Sequence, residues 1–480
     1  MTAFATVVEL AEMLRARRIG AVELATAALD RLERIGPRYN AIAAVMRSRA
    51  LREAASAERA LASGAPASPL VGIPYGAKDL LAARGAPTTW GAAPYRDQRL
   101  GTDATAIAKL RRAGAVLAAK LAMVELAGGG GYRYPSASLQ GPGLNPWDTG
   151  RWSGGSSSGS AAAVAAGLVP FALGSETSGS IGTPAAYCGI TGLRPTYGLV
   201  SRHGAMALSW TLDKIGPMAR TATDCAIVLE ALAGPDRKDP TTAGKRFRRL
   251  EDASAREAVA RARVGYSGEE IDVAAGAEAR DALQRGVAEF RRIAPRFTTA
   301  RLPDLPYGPM VSTVYAAEGA TIFADLIESD RLDLMPDEKQ KAGLRAALEI
   351  RARDYLQAMR LRSVLAVRMR ELFLECDVIL SCGRAVTATP VGQALDAAPS
   401  TPPAGPAAPP APPRGNAGLI PAGNLAGLPA IFFPCGFGTD GLPVGLQLIG
   451  QPFSEPLLVA LVEAFQRDTS HHLRRPSAGE

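Results

Sequence analysis

Positions 153–184 read SGGSSSGSAAAVAAGLVPFALGSETSGSIGTP, with eight serines, seven glycines and no histidine. A serine- and glycine-rich run is ordinarily a solvated linker, because it buries too little apolar surface to offset the entropy of ordering. This run is broken by AAAVAAGL and VPFAL, segments that belong in a core. It is therefore expected to pass through the interior, where small residues let backbone segments approach closely. Its hydroxyls and amides then all need partners or a function, since buried polar groups are paired.

The rest of the chain fits such an interior. LVGIPYGAKDLLA, AVLAAKL, LVPFALG, ARVGYS and CDVILSCG are short apolar runs set between helical segments. That alternation predicts an α/β fold with a largely buried sheet. Residues 5–63 read as helices, with apolar residues at i, i+3 and i+4; the third stretch runs from Ala41 to Ser63. Positions 275–298 and 336–375 read as amphipathic surface helices. The stretch 399–413 has eight prolines in fifteen residues, which no helix or central strand accommodates. A loop spanning 396–415 is expected there, either a passive insertion or a lid. The closing GNLAGLPAIFFPCGFGTDGLPVGLQLIGQPF returns to strands and turns.

Charge and cysteine usage narrow the function classes. The net charge of +8 is thin over 480 residues, and the densest basic run, KRFRR at 245–249, adjoins the acidic LEDASARE. A solvated face is the simpler reading, so no nucleic-acid partner is expected. No run approaches eighteen apolar residues, and MTAFATVVELAEMLRARR has no signal-peptide pattern. A cytoplasmic protein without a membrane partner is expected, as a monomer or homodimer. Five scattered cysteines without a CxxC pair, and only three histidines, argue for reduced thiols and against a metal. No cofactor is expected.

A serine nucleophile needs a base and oxyanion donors. The histidine candidates are His203, His471 and His472, the last two in the polar tail DTSHHLRRPSAGE, expected to be poorly ordered. No G-x-S-x-G elbow is evident. Lysine remains, with eight in the chain against 46 arginines. Lys78, in GIPYGAKDLLA, has apolar or glycine neighbours apart from Asp79. Burial lowers a lysine pKa and makes it a base; a snorkelling or salt-bridged lysine is the competing reading. In ETSGSIG, Gly179 directly precedes Ser180, so successive N–H groups can converge beside the hydroxyl. SGGSSSGSAAAVAAG also resembles a phosphate-cradling loop, but it lacks the G-K-[ST] ending.

These residues together resemble the amidase signature family. The match rests on GGSSSGSAAAVAAGLVPFALGSETSGSIGTPAAYCGITGLRPTYGLVS at 154–201, VGIPYGAKDLL, AKLAMVELAGG, LNPWD, LDKIGPMART and NLAGLPAIFFPCGFGTDGLPVGLQLIG. The resemblance implies a central mixed, twisted β-sheet flanked by helices on both faces. Residues 1–65 would be a helical segment packed on a core domain of 66–480. It implies a catalytic Lys78, a bridging Ser156 after a cis peptide bond, and a nucleophilic Ser180. The N–H groups of Thr177, Ser178, Gly179 and Ser180 match the oxyanion loop. Met123, Gly128 and Gly129 are the expected neighbours of the substrate.

The implied reaction is hydrolysis of carbon–nitrogen bonds in small amides, extending to esters and carbamates. The alternative is the glutaminase component of a tRNA-dependent amidotransferase. Many members, that component among them, read G-G-S-I-R at the nucleophile, whereas this chain reads S-G-S-I-G, with Ser178 and Gly182. A pocket without fixed charge is expected, suited to apolar or aryl groups. Its walls are expected from the 123–145 loop, His203–Trp210 and the 310–355 helices.

Overall fold

The structure is a computed structural model that describes residues 2–64, 68–396 and 418–477. The proline-rich 399–413 stretch, and with it the expected lid, lies outside the described residues.

Thirteen strands are formed among the described residues. They are β1 (Ile42–Val45), β2 (Pro74–Lys78), β3 (Val116–Leu121), β4 (Leu144–Asn145), β5 (Asp148–Trp152), β6 (Phe171–Glu176), β7 (Thr191–Arg194), β8 (Lys214–Ala219), β9 (Arg263–Tyr266), β10 (Arg296–Thr299), β11 (Val378–Cys382), β12 (Ala430–Phe437) and β13 (Pro443–Gly450). Eleven of them make one sheet, in the order β1-β3-β2-β6-β8-β7-β12-β13-β11-β9-β10. The sheet is mixed. β2 runs parallel to β3 and β6, whereas β6–β8, β7–β8 and β12–β13 are antiparallel. Helices cover it, and two large clusters of buried side chains fill the space between. This is the α/β architecture the alternation predicted.

The short apolar runs became central strands for a physical reason. PYGAK, VLAAKL and FALGSE are buried at every position, as strands covered on both faces must be. Close approach is built in: a Cβ on Gly76 would lie 2.3 Å from Leu121 Cδ1. Across β2 and β6 the rings of Tyr75 and Phe171 stack at 5.1 Å.

One helix reading is corrected. Residues 42–45 are a strand, and the helix starts only at Arg47. β1 pairs antiparallel with β3, so Ile42 and Val45 meet the sheet edge that their β-branched side chains favour. Likewise, the expected helix 275–298 ends at Ile293, and Arg296–Thr299 pair with β9 as the opposite edge. The C-terminal tail is also more ordered than expected. His471–Leu473 form a short 3-10 turn in which His471 Nε2 lies 2.8 Å from Glu289, and His472 is buried.

Candidate active site

The serine-rich run builds two loops and two helices around β6. The helix Ser158–Ala165 is buried at all eight positions, which only small side chains permit. A Cβ on Gly159 would meet the Ala41 carbonyl oxygen at 2.4 Å. The hydroxyls in this segment satisfy carbonyls: Ser160 Oγ donates to Leu173 O at 3.0 Å and Ser157 Oγ to Ser175 O at 3.2 Å. The Gly155–Ser156 peptide bond is cis, as the resemblance implied. Beyond β6 the chain turns at Gly179, whose φ of 87° is open to glycine, and enters the helix Gly182–Cys188.

Lys78 ends β2 with no exposed surface. Its Nζ bonds to Ser156 Oγ at 2.8 Å and to Ser175 Oγ at 2.9 Å. Burial pulls the ammonium down to about 7, against the opposing attraction of Asp213 and Glu176. The neighbouring Asp79 does not pair with it. Strand alternation sends that carboxylate to Lys120 Nζ at 2.6 Å and to the Thr89 N–H at 3.0 Å. The salt-bridged reading of Lys78 through Asp79 is thereby removed.

Ser180 is 8% exposed and borders a cavity of about 790 Å³, whereas Ser156 and Lys78 lie behind it at 1% and 0%. The two loops are tied together beside Ser156, where the Ser157 N–H donates to Ser180 O at 3.3 Å. Thr177, Ser178 and Gly128 also line the cavity. Met123 is buried in the core, with its carbonyl packed against Gly91. Gly129 packs on Leu208 and Phe323, and its carbonyl accepts from Gln340 Nε2 at 2.9 Å. Neither Met123 nor Gly129 is among the cavity-lining residues.

Three supporting side chains were not singled out from the sequence. Ser175 holds the lysine, as described. Glu176 accepts from the N–H groups of Ile181 and Gly182, each at 2.9 Å, and so fixes the turn that carries Ser180. Its other oxygen takes Arg194 Nη1 at 2.7 Å and Asn424 Nδ2 at 2.8 Å. Burial would push this carboxyl up, but Arg194, Asn424 and the Gly182 N–H together hold it at about 2. Asp213 accepts from Thr177 Oγ1 at 2.5 Å and from the N–H groups of Leu208 and Ser209. Glu176 and Asp213 both lie inside quoted motifs, yet nothing in spacing alone says which turn a carboxylate will pin.

The pocket expectation needs correction. The cavity wall carries Arg384, Arg151, Glu278 and Asp440, so it does hold fixed charge, alongside Tyr132, Trp152, Tyr187 and Tyr315. The 123–145 loop and the start of the helix Tyr307–Ile322 contribute as expected. The 203–210 stretch mostly lines a second, smaller cavity of about 200 Å³, which shares Ala127, Thr177 and Leu208 with the first. His203 lines that second cavity.

Against known proteins, the sequence profile described as Amidase matches residues 23–459. The chain belongs to the amidase signature family. Among characterised relatives, it is 35% identical to a component of the glutamyl-tRNA(Gln) amidotransferase of Cupriavidus metallidurans, over 98% of this chain and 98% of that protein. Among solved structures, a protein from a vestigial complex bearing on the origins of an s-triazine catabolic enzyme superposes with a TM-score of 0.86, at 30% identity. That match covers 96% of this chain and 98% of the other. The native peptide amidase of Stenotrophomonas maltophilia gives 0.82, at 29% identity, over 98% of each. The chain is thus similar to hydrolases of carbon–nitrogen bonds and shares their fold.

Proposed function

We propose that the chain is a stand-alone amide hydrolase that works through an acyl-enzyme on Ser180. The observation that carries this reading is a buried lysine, poised near neutrality, whose ammonium nitrogen is bonded to the hydroxyl of Ser156. Neutral Lys78 takes a proton from Ser156, which takes one from Ser180 as Ser180 Oγ attacks the carbonyl carbon. The N–H groups of Thr177 to Ser180 receive the oxyanion, each such donor being worth roughly 3–4 kcal/mol. Ser156 returns a proton to the leaving nitrogen, so that a neutral amine departs rather than an unstable anion. Water then attacks the acyl carbon by the same route and frees Ser180. The same acyl chemistry extends to esters and carbamates. The reaction needs no metal or cofactor, partner chain or nucleic acid.

A second reading, the amidotransferase component, is favoured by the Cupriavidus relative. Packing supports the first. Gly182 stands where that group carries arginine, and a Cβ there would meet the Phe432 ring at 2.4 Å. The side chain that would make the wall basic has no room beside Phe432. The purified chain, assayed alone, separates the two: aniline released from anilides in excess of ammonia from glutamine is expected. Glutamine as the preferred substrate, with activity only on addition of partner chains, would overturn the proposal.

A further inference from the structure

The helix Ala352–Glu375 turns one face to the core and a partly apolar face to solvent. Its inner face is committed. Ala358, Leu365, Met369 and Phe373 are buried, and Arg362 donates to Leu425 O at 2.6 Å and to Thr211 O at 2.9 Å. The Tyr355 hydroxyl donates to Glu318 Oε1 at 2.9 Å, on the helix Tyr307–Ile322 that carries Val311 and Tyr315 to the cavity of Ser180. The last turn is tied down as well, since Arg263 Nη1 donates to Leu374 O at 2.8 Å. The helix is therefore a fixed surface, one layer behind the cavity wall.

On its outer face Leu356, Val364, Val367 and Leu374 are between 44% and 77% exposed. A single exposed leucine needs no explanation, but these four are aligned. With Arg360 and Glu371, both exposed, they occupy positions 356, 360, 364, 367, 371 and 374. Steps of three and four residues set such positions in one row along a helix. The row is about 27 Å long at the rise of an α-helix.

The order of residues in the row indicates what covers it. Forwards it reads Leu, Arg, Val, Val, Glu, Leu; backwards it reads Leu, Glu, Val, Val, Arg, Leu. An antiparallel second copy therefore sets Leu356 against Leu374, Val364 against Val367 and Arg360 against Glu371, and the two-fold axis makes each contact twice. A parallel copy would set Arg360 on Arg360 and Glu371 on Glu371, which like charge opposes. Glu371 is held only weakly within its own chain, 3.5 Å from Arg368 between two exposed side chains.

We propose that this row is the interface of an antiparallel homodimer, formed by the helix Ala352–Glu375 of two copies of the chain. The contact lies on the far side of the helix from the cavity, so it is independent of the reaction assigned to Ser180. One helix face per copy is a small interface beside the ~1,600 Å² of a standard complex, so dissociation in the micromolar range is expected.

Sedimentation velocity of the full chain across a concentration series, at low salt, tests this. The wild type should pass from monomer to dimer with a Kd of about 1–100 µM. Arg360→Glu and Glu371→Arg should each weaken the dimer by at least about tenfold, because symmetry turns two attractions into two repulsions. The two substitutions in one chain should restore it. An equimolar mixture of the two single variants should also associate, since each supplies the charge that the other lacks. Melting temperature and kcat/KM near wild type in each variant would show that the fold is intact. A wild type monomeric to about 200 µM would leave the row to a partner of another sequence, and overturns the proposal. So does a dimer that both single variants retain, or one that neither the double variant nor the mixture recovers.

Discussion

Two lysines with no exposed surface lie side by side in the sheet, and they have opposite fates. Lys120 on β3 is the register partner of Ala77 on β2, and Lys78 is the next residue along β2. Lys120 Nζ has a carboxylate at 2.6 Å and the Thr88 hydroxyl at 3.0 Å. Lys78 Nζ has the hydroxyls of Ser156 and Ser175. Burial lowers both pKa values, and Asp79 opposes that effect directly at Lys120. The difference teaches that burial alone does not make a base. A buried ammonium with a touching carboxylate is a structural ion pair, whereas one held by hydroxyls can give up its proton to the solvent and accept one from the reaction.

The sharpest way to break the comparison is to remove each lysine. Lys78→Ala should lower kcat/KM for an anilide by at least about 1,000-fold, and Ser180→Ala should do the same, with unfolding transitions near wild type. Activity above a tenth of wild type in either folded variant would remove the assigned roles. Lys120→Met should act on stability instead. It strands the Asp79 carboxylate in the interior, a loss of about 3–5 kcal/mol in denaturant unfolding. Adding Asp79→Asn to that variant should recover part of the loss, because the uncompensated charge goes with it. A Lys120→Met enzyme that is stable but catalytically dead would put both lysines in the chemistry.

The pH dependence sharpens the same contrast. Lys78 must be neutral to act, so kcat/KM should rise with pH through an apparent pKa of about 7 and level off above it. The linkage to stability has a definite sign. Between about 7 and the ordinary lysine value of 10.5, the unfolded chain binds a proton at this position that the folded chain does not. Stability contributed by this position therefore increases with pH across that window. Lys78→Met should flatten that slope. A slope of the same steepness in the variant would show that another group carries it.

Much of this arrangement was legible beforehand, and the limit is a physical one. The strands around the site were visible because buried strands are short apolar runs. Lys78 and Ser180 stood out as chemistry-bearing residues in stretches too apolar or too glycine-rich for solvent, whereas Ser156, one serine among eight in its run, was picked out only by the resemblance to the family. What spacing cannot reveal is which side chains touch across strands. Asp79 adjoins Lys78 in sequence and serves Lys120, 41 positions away, because the pleat turns it to the other face. Glu176 pins the turn of Ser180 through a network that includes Asn424, 248 positions distant. Arg384 joins the cavity only because β11 pairs with β13. Strand 42–45 was hidden for a related reason: Ile-Ala-Ala-Val followed by an arginine- and alanine-rich segment fits a helical period until an edge is available to pair with it.

The smallest effect concerns the second hydroxyl on Lys78. Ser175 Oγ lies 2.9 Å from Nζ, and the Ser175 backbone is fixed in β6, where its N–H and C=O also meet Ser157 Oγ. Ser175 is a positioning residue in this scheme, since it reaches the substrate only through the lysine. Ser175→Ala removes one hydrogen bond to the ammonium and leaves the backbone contacts intact. A bond of this kind contributes on the order of 0.5–1.5 kcal/mol, so kcat should fall by about 2- to 10-fold with KM little changed. The lost oxygen also favoured the charged form of the lysine, so the acid limb of the kcat/KM profile should move to lower pH. A purely structural role would instead lower the melting temperature and leave that limb in place. If the limb stays at wild-type pH while activity falls, Ser175 holds the strand and not the proton, and the hydroxyl cage around Lys78 reduces to Ser156 alone.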